Sequence, residues 1–144
     1  MKRFIFALLV LASCNNTPST TDKTSDDFAI RTVLNNQVVA WNKGDIESFM
    51  KGYWKSDSIF FIGKKITSGW DSTLARYKKS YPDKAAMGKL RFEILQLNFV
   101  STDACLVTGK FFLTREKDNP HGIFTLLFKK KKGSWVIVYD HTSA

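Results

Sequence analysis

The chain has 144 residues, 44% of them hydrophobic, and a formal net charge of +9 at pH 7. That length fits a single domain with its own hydrophobic core. The basic residues are dispersed, apart from four consecutive lysines at positions 129–132. No aromatic residues alternate with basic ones, which argues against a nucleic-acid-binding protein.

Residues 1–13 have the layout of a secretory signal peptide: a positive start, an apolar run over 4–11, and small residues directly before Cys14. The run is shorter than the ~20 apolar residues that cross a bilayer. Its end resembles the lipobox of bacterial lipoproteins. The resemblance implies cleavage before Cys14 and acylation of Cys14. We therefore expect a lipid-anchored protein of the cell envelope, on the periplasmic or outer-membrane face, whose partner is the bilayer.

Residues 14–24 contain almost no apolar side chains and are predicted to form a flexible tether, with the domain following over residues 25–144. With Cys14 acylated, Cys105 is the only remaining thiol, so a disulfide within the chain is excluded. Cys105 lies in an apolar strand and is expected to be buried and inert.

Three helices are predicted before the strands. Ser25 would cap the first and Gly44 would end it, with apolar residues at helical spacing: Ile30, Val33, Leu34, Val38 and Trp41. Asp45 would cap a short second helix carrying Ile46, Phe49, Met50 and Tyr53. A strand over 58–63 follows. A capping-box-like start at Ser68 then precedes a helix that ends before Pro82, with a stripe of Trp70, Leu74, Tyr77 and Tyr81.

The remainder is rich in branched and aromatic residues and predicts four strands, over 89–99, 104–116, 122–131 and 134–143. Short connections favour antiparallel neighbours. The predicted fold class is α+β, with three helices packed on one face of a curved, mainly antiparallel sheet.

Five strings occur in a particular order along the chain: AWNKGD (40–45), GW (69–70), ACLVTGK (104–110), GIFTLLF (122–128) and GSWVIVYDHTS (133–143). In this order they resemble the nuclear transport factor 2-like superfamily, which includes SnoaL-like cyclases, ketosteroid isomerases and the association domain of calcium/calmodulin-dependent protein kinase II. The resemblance covers about residues 26–143 and is closest to a subfamily of unassigned activity. It implies a cone-shaped, half-open barrel with a pocket between helices and sheet, a fold that does not by itself define an activity.

Strand alternation predicts which side chains face that pocket. A two-residue turn at Lys132-Gly133 and a turn at Asp118-Asn119 set the registers of the last three strands. With the helical aromatics, the predicted lining is Trp41, Trp54, Trp70, Tyr77, Phe111, Leu113, Arg115, Phe124, Leu126, Tyr139 and His141. The strand over 89–99 adds either Arg91 and Glu93 or Phe92 and Ile94, depending on the length of the turn at Thr102.

His141 is the candidate acid–base group, because histidine titrates near neutrality; it could equally be solvated at the chain end. Arg115 could bind a carboxylate of a ligand or pair with a neighbouring acid. His121, in a loop, is expected to be inert. Two separated histidines and one thiol make no metal site of usual spacing, and no cofactor motif is present.

The superfamily's isomerases, as the resemblance implies, use a pocket tyrosine and a pair of buried carboxylates. Tyr53 or Tyr77 would supply the phenol. Asp57 and Glu93 are acids near pocket strands, whereas strand alternation turns Asp140 away, so the pattern is incomplete.

The leading hypothesis is therefore a membrane-tethered domain that binds a small apolar or carboxylate-bearing ligand, without evident catalysis. One alternative is an acid–base enzyme, such as an isomerase, dehydratase or cyclase-like protein, acting on a small apolar substrate. The other is a dimerisation module. Apolar residues on the outer sheet face, Leu127, Val136 and Val138, predict a homodimer.

Overall fold

The computed structural model describes residues 20–144; the predicted signal peptide, Cys14 and the first residues of the predicted tether lie outside it. The helices are α1 (Thr20–Lys43), α2 (Ile46–Met50), α3 (Trp70–Ser80) and α4 (Lys84–Met87). The strands are β1 (Phe60–Ile62), β2 (Ile66–Ser68), β3 (Lys89–Ser101), β4 (Ala104–Thr114), β5 (His121–Lys131) and β6 (Ser134–Ser143). Within residues 20–144, no helix is both long enough and apolar enough to span a membrane.

Helix α1 begins earlier than predicted. It starts at Thr20, so it includes the last residues of the predicted tether, and Ser25 lies inside it rather than at its cap. Once a helix is nucleated by packed turns, each added residue gains a hydrogen bond without a new nucleation cost. The packed turns here are those of the predicted stripe, in which Ile30, Leu34 and Trp41 are buried.

The end of α1 and the start of α2 are as predicted. Gly44 follows the last helical residue with φ +83°, a conformation that glycine adopts without steric cost. The Asp45 side chain accepts a hydrogen bond of 2.8 Å from the Ser48 amide and so caps α2. This corner brings Phe49, Met50 and Tyr53 into the core beside α1.

Helix α3 ends before Pro82 as predicted, but it starts differently. Its N-cap is Gly69, and Ser68 lies in β2, where its hydroxyl donates to the Asp57 carbonyl oxygen. Two elements, β2 and α4, were not predicted, because three or four residues are too few to show a periodicity. The chain therefore has four helices in the described part instead of three.

The strands form one six-stranded sheet in the order β2-β1-β6-β5-β4-β3. Only the β1–β6 pair is parallel, so the sheet is mixed but mainly antiparallel. Helix α1 packs against β3 and β6, and the sheet curves around the helices without closing. The predicted half-open α+β architecture is confirmed.

The β5–β6 hairpin decides what faces the interior. Its turn at Lys132-Gly133 and the pairing of Phe128 with Ile137 are as predicted. Beyond that pair a β-bulge leaves Val138 without a partner, so Leu127 faces Tyr139 instead. One extra residue inverts the alternation of every later side chain in the strand.

The β4–β5 and β3–β4 hairpins determine which other side chains face the interior. Phe111 pairs with Gly122 rather than with Leu126, a shift by an even number of residues that keeps Phe111 on the inner face. In β3, two register shifts place Phe92 opposite Phe111, which selects the alternative with Phe92 and Ile94 over the one with Arg91 and Glu93. Cys105 is fully buried as predicted, and burial raises the pKa of its thiol to about 11.

The outer face of the sheet carries an apolar row across four strands. Leu106 pairs with Leu127, Leu127 with Tyr139, and Tyr139 with Phe60. The rings of Phe60 and Tyr139 are 41% and 40% exposed and stack at 6.4 Å between centroids. Val136 and Val138, predicted for this face, are half-buried beside the row.

Candidate functional site

A cavity of about 160 Å³ lies between the helices and the inner face of the sheet. Its wall is mostly aromatic and aliphatic, with a few polar groups. The lining residues are Gln37, Trp41, Phe49, Tyr53, Phe61, Arg76, Tyr77, Ser80, Tyr81, Leu90, Phe92, Phe111, Leu113, Phe124, Leu126, Asp140 and Thr142. Ser80 is exposed and Arg76, Tyr81 and Phe111 are half-buried, so the mouth lies between α3 and the ends of β4 and β6.

The helical wall is built from edge-to-face aromatic pairs. The Trp41 ring lies 5.2 Å from Phe49 and 4.7 Å from Tyr81, and Phe49 lies 5.3 Å from Tyr77. The indole Nε1 of Trp41 donates to the Met87 carbonyl oxygen at 3.1 Å, so α4 fixes its orientation. Interlocked rings of this kind make a preformed wall.

The sheet wall depends on a glycine. Phe124 and Phe92 meet edge-to-face at 5.2 Å across Gly109 of β4. A Cβ at Gly109 would overlap both the Phe124 ring and the Glu93 carbonyl oxygen. The missing side chain therefore lets the Phe124 ring approach the backbone of the strand closely.

The main polar group is Asp140, which is 3% exposed and is the only buried acid among residues 23–144. The Tyr53 hydroxyl donates to its Oδ2 at 2.6 Å, and the Thr142 hydroxyl donates to its Oδ1 at 2.7 Å. Burial raises the pKa of Asp140 to about 6, and these two hydrogen bonds, with the nearby charges of His141 and Arg76, limit the rise. A carboxyl poised near neutrality inside a cavity is able to take or give a proton.

Two phenols accompany this carboxyl. Burial, together with the charge of Asp140, raises the pKa of both Tyr53 and Tyr77 well above its usual range. Each phenol also perturbs the pKa of the other, because the two side chains are neighbours in the cavity wall. Both tyrosines therefore remain neutral hydrogen-bond donors at any physiological pH.

Arg76 brings a positive charge to the mouth. Its Nη1 donates to the Lys65 carbonyl oxygen at 2.9 Å and to the Thr67 hydroxyl at 2.8 Å, so the β1–β2 hairpin holds it in place. Its guanidinium carbon lies 4.6 Å from the centroid of the Phe61 ring. Stacking and two fixed hydrogen bonds orient this cation beside the cavity.

Six of the eleven predicted lining residues are found in the cavity: Trp41, Tyr77, Phe111, Leu113, Phe124 and Leu126. The prediction was wrong for five others. Trp54 and Trp70 pack on the outer side of the core, where the ammonium groups of Lys131 and Lys55 cover their rings. Trp70 is turned away because its Nε1 donates to the Met50 carbonyl oxygen at 3.0 Å.

Tyr139 and His141 were also misplaced, because the bulge at Val138 turns both to the outer face. His141 pairs with Thr125 and is exposed, and Asp140 takes the inward position that had been given to His141. The prediction that strand alternation turns Asp140 away is corrected for the same reason.

Arg115 is the fifth correction. Strand β4 ends at Thr114, so Arg115 lies in the following loop and packs beside Gly88 and over the Tyr81 ring, outside the cavity. Its nearest acid is Asp118, at 3.6 Å from Nη1. Its Nε is buried without a hydrogen-bond partner, the one side-chain atom in this state in the described part of the chain.

Other candidates lie elsewhere. Asp57 and Glu93 are exposed, and Glu93 is 3.8 Å from Lys110 on the outer face. His121 is the first residue of β5, where it pairs with Phe112, instead of lying in a loop as predicted; it is exposed, with Nδ1 3.1 Å from the Asn119 carbonyl oxygen. Residues 23–144 contain no group of three or more histidine, cysteine or acidic side chains placed to hold a metal ion.

One missed lining residue carried a sequence signal. Gln37 occupies a stripe position of α1, three residues after Leu34 and four before Trp41, and is buried, with Nε2 donating to the Phe49 carbonyl oxygen at 3.2 Å. A polar residue on an apolar stripe indicates a polar function or a buried hydrogen bond. Arg76 and Thr142 had no comparable signal.

The fold and the cavity define a class of protein: a half-open α+β barrel that encloses an aromatic pocket with a buried acid. The chain belongs to the SnoaL-like domain family, whose profile matches residues 30–144. Among solved structures it is similar to a nuclear transport factor 2-like protein of unknown function from Shewanella oneidensis MR-1, with 43% identity, a TM-score of 0.80, and coverage of 83% of this chain and 99% of that one.

More distant structures share the fold. A hexachlorocyclohexane dehydrochlorinase, LinA-type3, from Novosphingobium barchaimii LL02 has 16% identity and a TM-score of 0.71, covering 86% of this chain and 89% of that one. A ketosteroid isomerase-like protein from Erwinia carotovora atroseptica SCRI1043 has 19% identity and a TM-score of 0.62, covering 81% and 93%. No curated protein matches the chain.

Proposed function

We propose that this chain is a small-molecule-binding domain anchored to the bacterial cell envelope through acylated Cys14. The observation that supports binding is the aromatic cavity around the Asp140–Tyr53 pair. Ligand sites are mostly apolar with a few converging polar groups, and this cavity has that composition. Anchoring is supported by the lipobox-like end of the segment before Cys14.

The cavity limits the ligand by size and by charge. Its volume of about 160 Å³ is close to that of a cavity of about 150 Å³ that binds benzene. Asp140, with a pKa of about 6, is mostly ionised at pH 7 and favours a hydrogen-bond donor. We therefore propose a ligand with a single-ring-sized apolar body and a hydroxyl or amino group that points at Asp140. A carboxylate on the ligand would lie beside Arg76 at the mouth, away from Asp140.

Phenol is a suitable probe, because it combines one ring with one hydroxyl donor. We expect calorimetry to detect phenol binding to the parent protein and to Leu127→Trp, whose new ring lies on the outer face. Leu126→Trp should abolish binding, because the larger side chain fills the cavity. Toluene, which lacks the donor, should bind more weakly than phenol.

The two tryptophan variants differ by one position on the same strand, so a general effect of the substitution would appear in both. Phenol binding that survives Leu126→Trp, or that is absent from the parent, would contradict the cavity as a binding site. Equal affinities for phenol and toluene would contradict the role given to Asp140.

A second candidate function is acid–base catalysis on a small apolar substrate, favoured by the pKa of about 6 for a carboxyl that lines the cavity. Asp140 would remove a proton from a carbon next to a carbonyl, the C–H electron pair would move to the carbonyl oxygen, and Tyr77 could hydrogen bond to that oxygen. The dehydrochlorinase and isomerase-like structures support this candidate at the level of fold only.

Exchange of the α-protons of cyclopentanone in D₂O, followed by NMR, separates the two candidates. An enzyme should accelerate exchange, with a rate that rises through a pKa of about 6 and is lost in Asp140→Asn. A binding domain should bind phenol without accelerating exchange.

We also propose self-association through the outer apolar row of Leu106, Leu127, Tyr139 and Phe60. Two exposed aromatic rings continuous with half-buried aliphatic side chains are typical of an interface between protein subunits. A homodimer joined here would leave both cavities free, because they open on the other side of the sheet.

A further inference from the structure

We propose that the tip of the β5–β6 hairpin rests on anionic phospholipid headgroups through Lys129, Lys131 and Lys132, so that the cavity mouth faces away from the bilayer. This inference rests on the acylation of Cys14 in the proposed function. It adds an orientation and a lipid class that the anchor alone does not supply.

The start of α1 is held beside the hairpin tip. The Lys130 ammonium lies 2.7 Å from Asp26 Oδ1, and the Trp135 indole donates to the same oxygen at 2.8 Å. Burial opposes ionisation of Asp26, but the bonds from Lys130 and Trp135 outweigh it and lower the pKa of this carboxyl. The helix end that leads back to Cys14 therefore has a fixed place next to the lysines.

The chain between anchor and helix is short. Cys14 precedes Thr20 by six residues, which span at most about 20 Å. From Thr20 to Asp26 the helix adds about 9 Å. The hairpin tip therefore lies within roughly 30 Å of the lipid anchor along the chain, close enough to reach the headgroups.

The charge of the tip is not cancelled within the domain. Asp26 neutralises Lys130, but Lys129, Lys131 and Lys132 have no ion pair in the described part of the chain. The Lys131 ammonium lies 4.5 Å from the centroid of the Trp54 ring, a contact that leaves its positive charge uncancelled. The charges of Lys129 and Lys131 act on Asp103 of the adjacent hairpin, whose pKa is lowered first by the Ser101 hydroxyl and then by these two lysines. Three lysines against one acid leave a positive tip, and each lysine near an anionic membrane strengthens binding about fivefold.

The mouth lies at the opposite end of the same strand. Strand β6 starts at Ser134 beside the tip and reaches Asp140 and Thr142 in the cavity. Eight residues of strand separate Ser134 from Thr142, a distance of about 26 Å. With the tip on the membrane, a ligand would enter from the aqueous side instead of from the lipid.

Energy transfer from the acylated full-length protein to headgroup-labelled lipid tests this orientation. Ser134→Cys places a donor fluorophore beside the tip and keeps all the lysines, whereas Asn119→Cys places one in the loop at the other end of β5. Only the new thiol should react, because Cys14 is acylated and Cys105 is buried. In vesicles containing phosphatidylglycerol, we expect several-fold higher transfer from position 134 than from 119. Pure phosphatidylcholine or high salt should narrow the difference.

A charge variant tests the lysines themselves. Lys129→Gln with Lys131→Gln should lower the ratio of docked to undocked protein by roughly 25-fold. Lys64→Gln with Lys65→Gln removes the same charge from the β1–β2 turn and should leave the ratio unchanged. Equal transfer from both labels in retained protein, or no effect of the Lys129 and Lys131 changes, overturns the orientation alone. Protein that is not retained by vesicles of either kind overturns the anchor and the orientation together.

Discussion

Replacement of Asp140 by asparagine should change how the stability of the domain depends on pH. Burial raises the pKa of this carboxyl from 3.8 to about 6, so between these values the folded protein holds a proton that the unfolded chain has lost. The free energy of unfolding therefore falls as pH rises through this window. Well below pH 3.8 both states are protonated, and well above the folded-state pKa of about 6 the full penalty of a buried carboxylate is present.

The size of the effect follows from the shift. Each pKa unit corresponds to about 1.4 kcal/mol, so a rise of about two units costs the folded state roughly 3 kcal/mol at neutral pH. For a domain of this size the same difference moves the melting temperature by roughly 10 °C.

Urea denaturation of the parent and of Asp140→Asn, from pH 4 to pH 8, measures the free-energy cost of burying the ionised carboxyl. The asparagine oxygen can still accept from Tyr53 and its amide can donate to Thr142, so the shape of the site is kept. Other acids change the free energy of unfolding with pH in the opposite direction, because hydrogen bonds lower the pKa values of Asp26 and Asp45. The parent alone therefore mixes several terms, whereas the difference between parent and variant isolates Asp140.

Asp57→Asn is the matched control, because it makes the same chemical change at an exposed side chain. The stability of Asp140→Asn relative to the parent should increase by roughly 2.5 kcal/mol between pH 4 and pH 8. A relative stability that stays constant over that range would refute the reasoning that burial destabilises the ionised carboxyl.

Three further predictions concern the anchor, the interface and the corrected histidine. Cys14→Ser should release the protein from membranes without unfolding the domain, and fractionation that leaves it membrane-bound would remove the lipoprotein hypothesis. Val138→Glu should convert a dimer into folded monomers in sedimentation experiments, because an unpaired buried charge costs several kcal/mol; a monomeric parent at tens of micromolar, about the range of usual dimer affinities, would contradict the interface. His141→Ala should leave phenol affinity unchanged in calorimetry, because the side chain faces outward; a clear loss of affinity would contradict the outward placement of His141.

The order of helices and strands could be predicted because long elements repeat their apolar residues many times. Helical spacing predicted the stripe of Ile30, Leu34 and Trp41, and these residues are buried in the core. Capping by Asp45 was likewise predicted from the residue type alone, and the hydrogen bond to Ser48 is present. The four long strands were also predicted within two residues at each end. Elements of three or four residues, such as β2 and α4, offer no such repetition.

The cavity was only partly predictable, because a lining residue is defined by strand register. Phe111 and Leu113 were placed correctly even though the β4–β5 pairing differs by four residues, since an even shift preserves the face. Residues 135–139 are apolar or aromatic without interruption, so alternation there has no polar residue to reveal an extra residue in the strand. The bulge at Val138 was therefore invisible, and the side chains after it were assigned to the wrong faces.

The same bulge explains why the site holds an acid at all. Without it, His141 would face the cavity and Asp140 would be solvated on the outer face, where ionisation costs nothing. With the bulge, the Asp140 carboxyl is buried. The hydrogen bonds from the Tyr53 and Thr142 hydroxyls offset only part of the free-energy cost of ionising it there, because its pKa is still raised. A fold selected for stability alone would gain by replacing this carboxyl with a neutral group. The presence of Asp140 among aromatic residues is therefore better explained by the proposed ligand site than by the packing of the core.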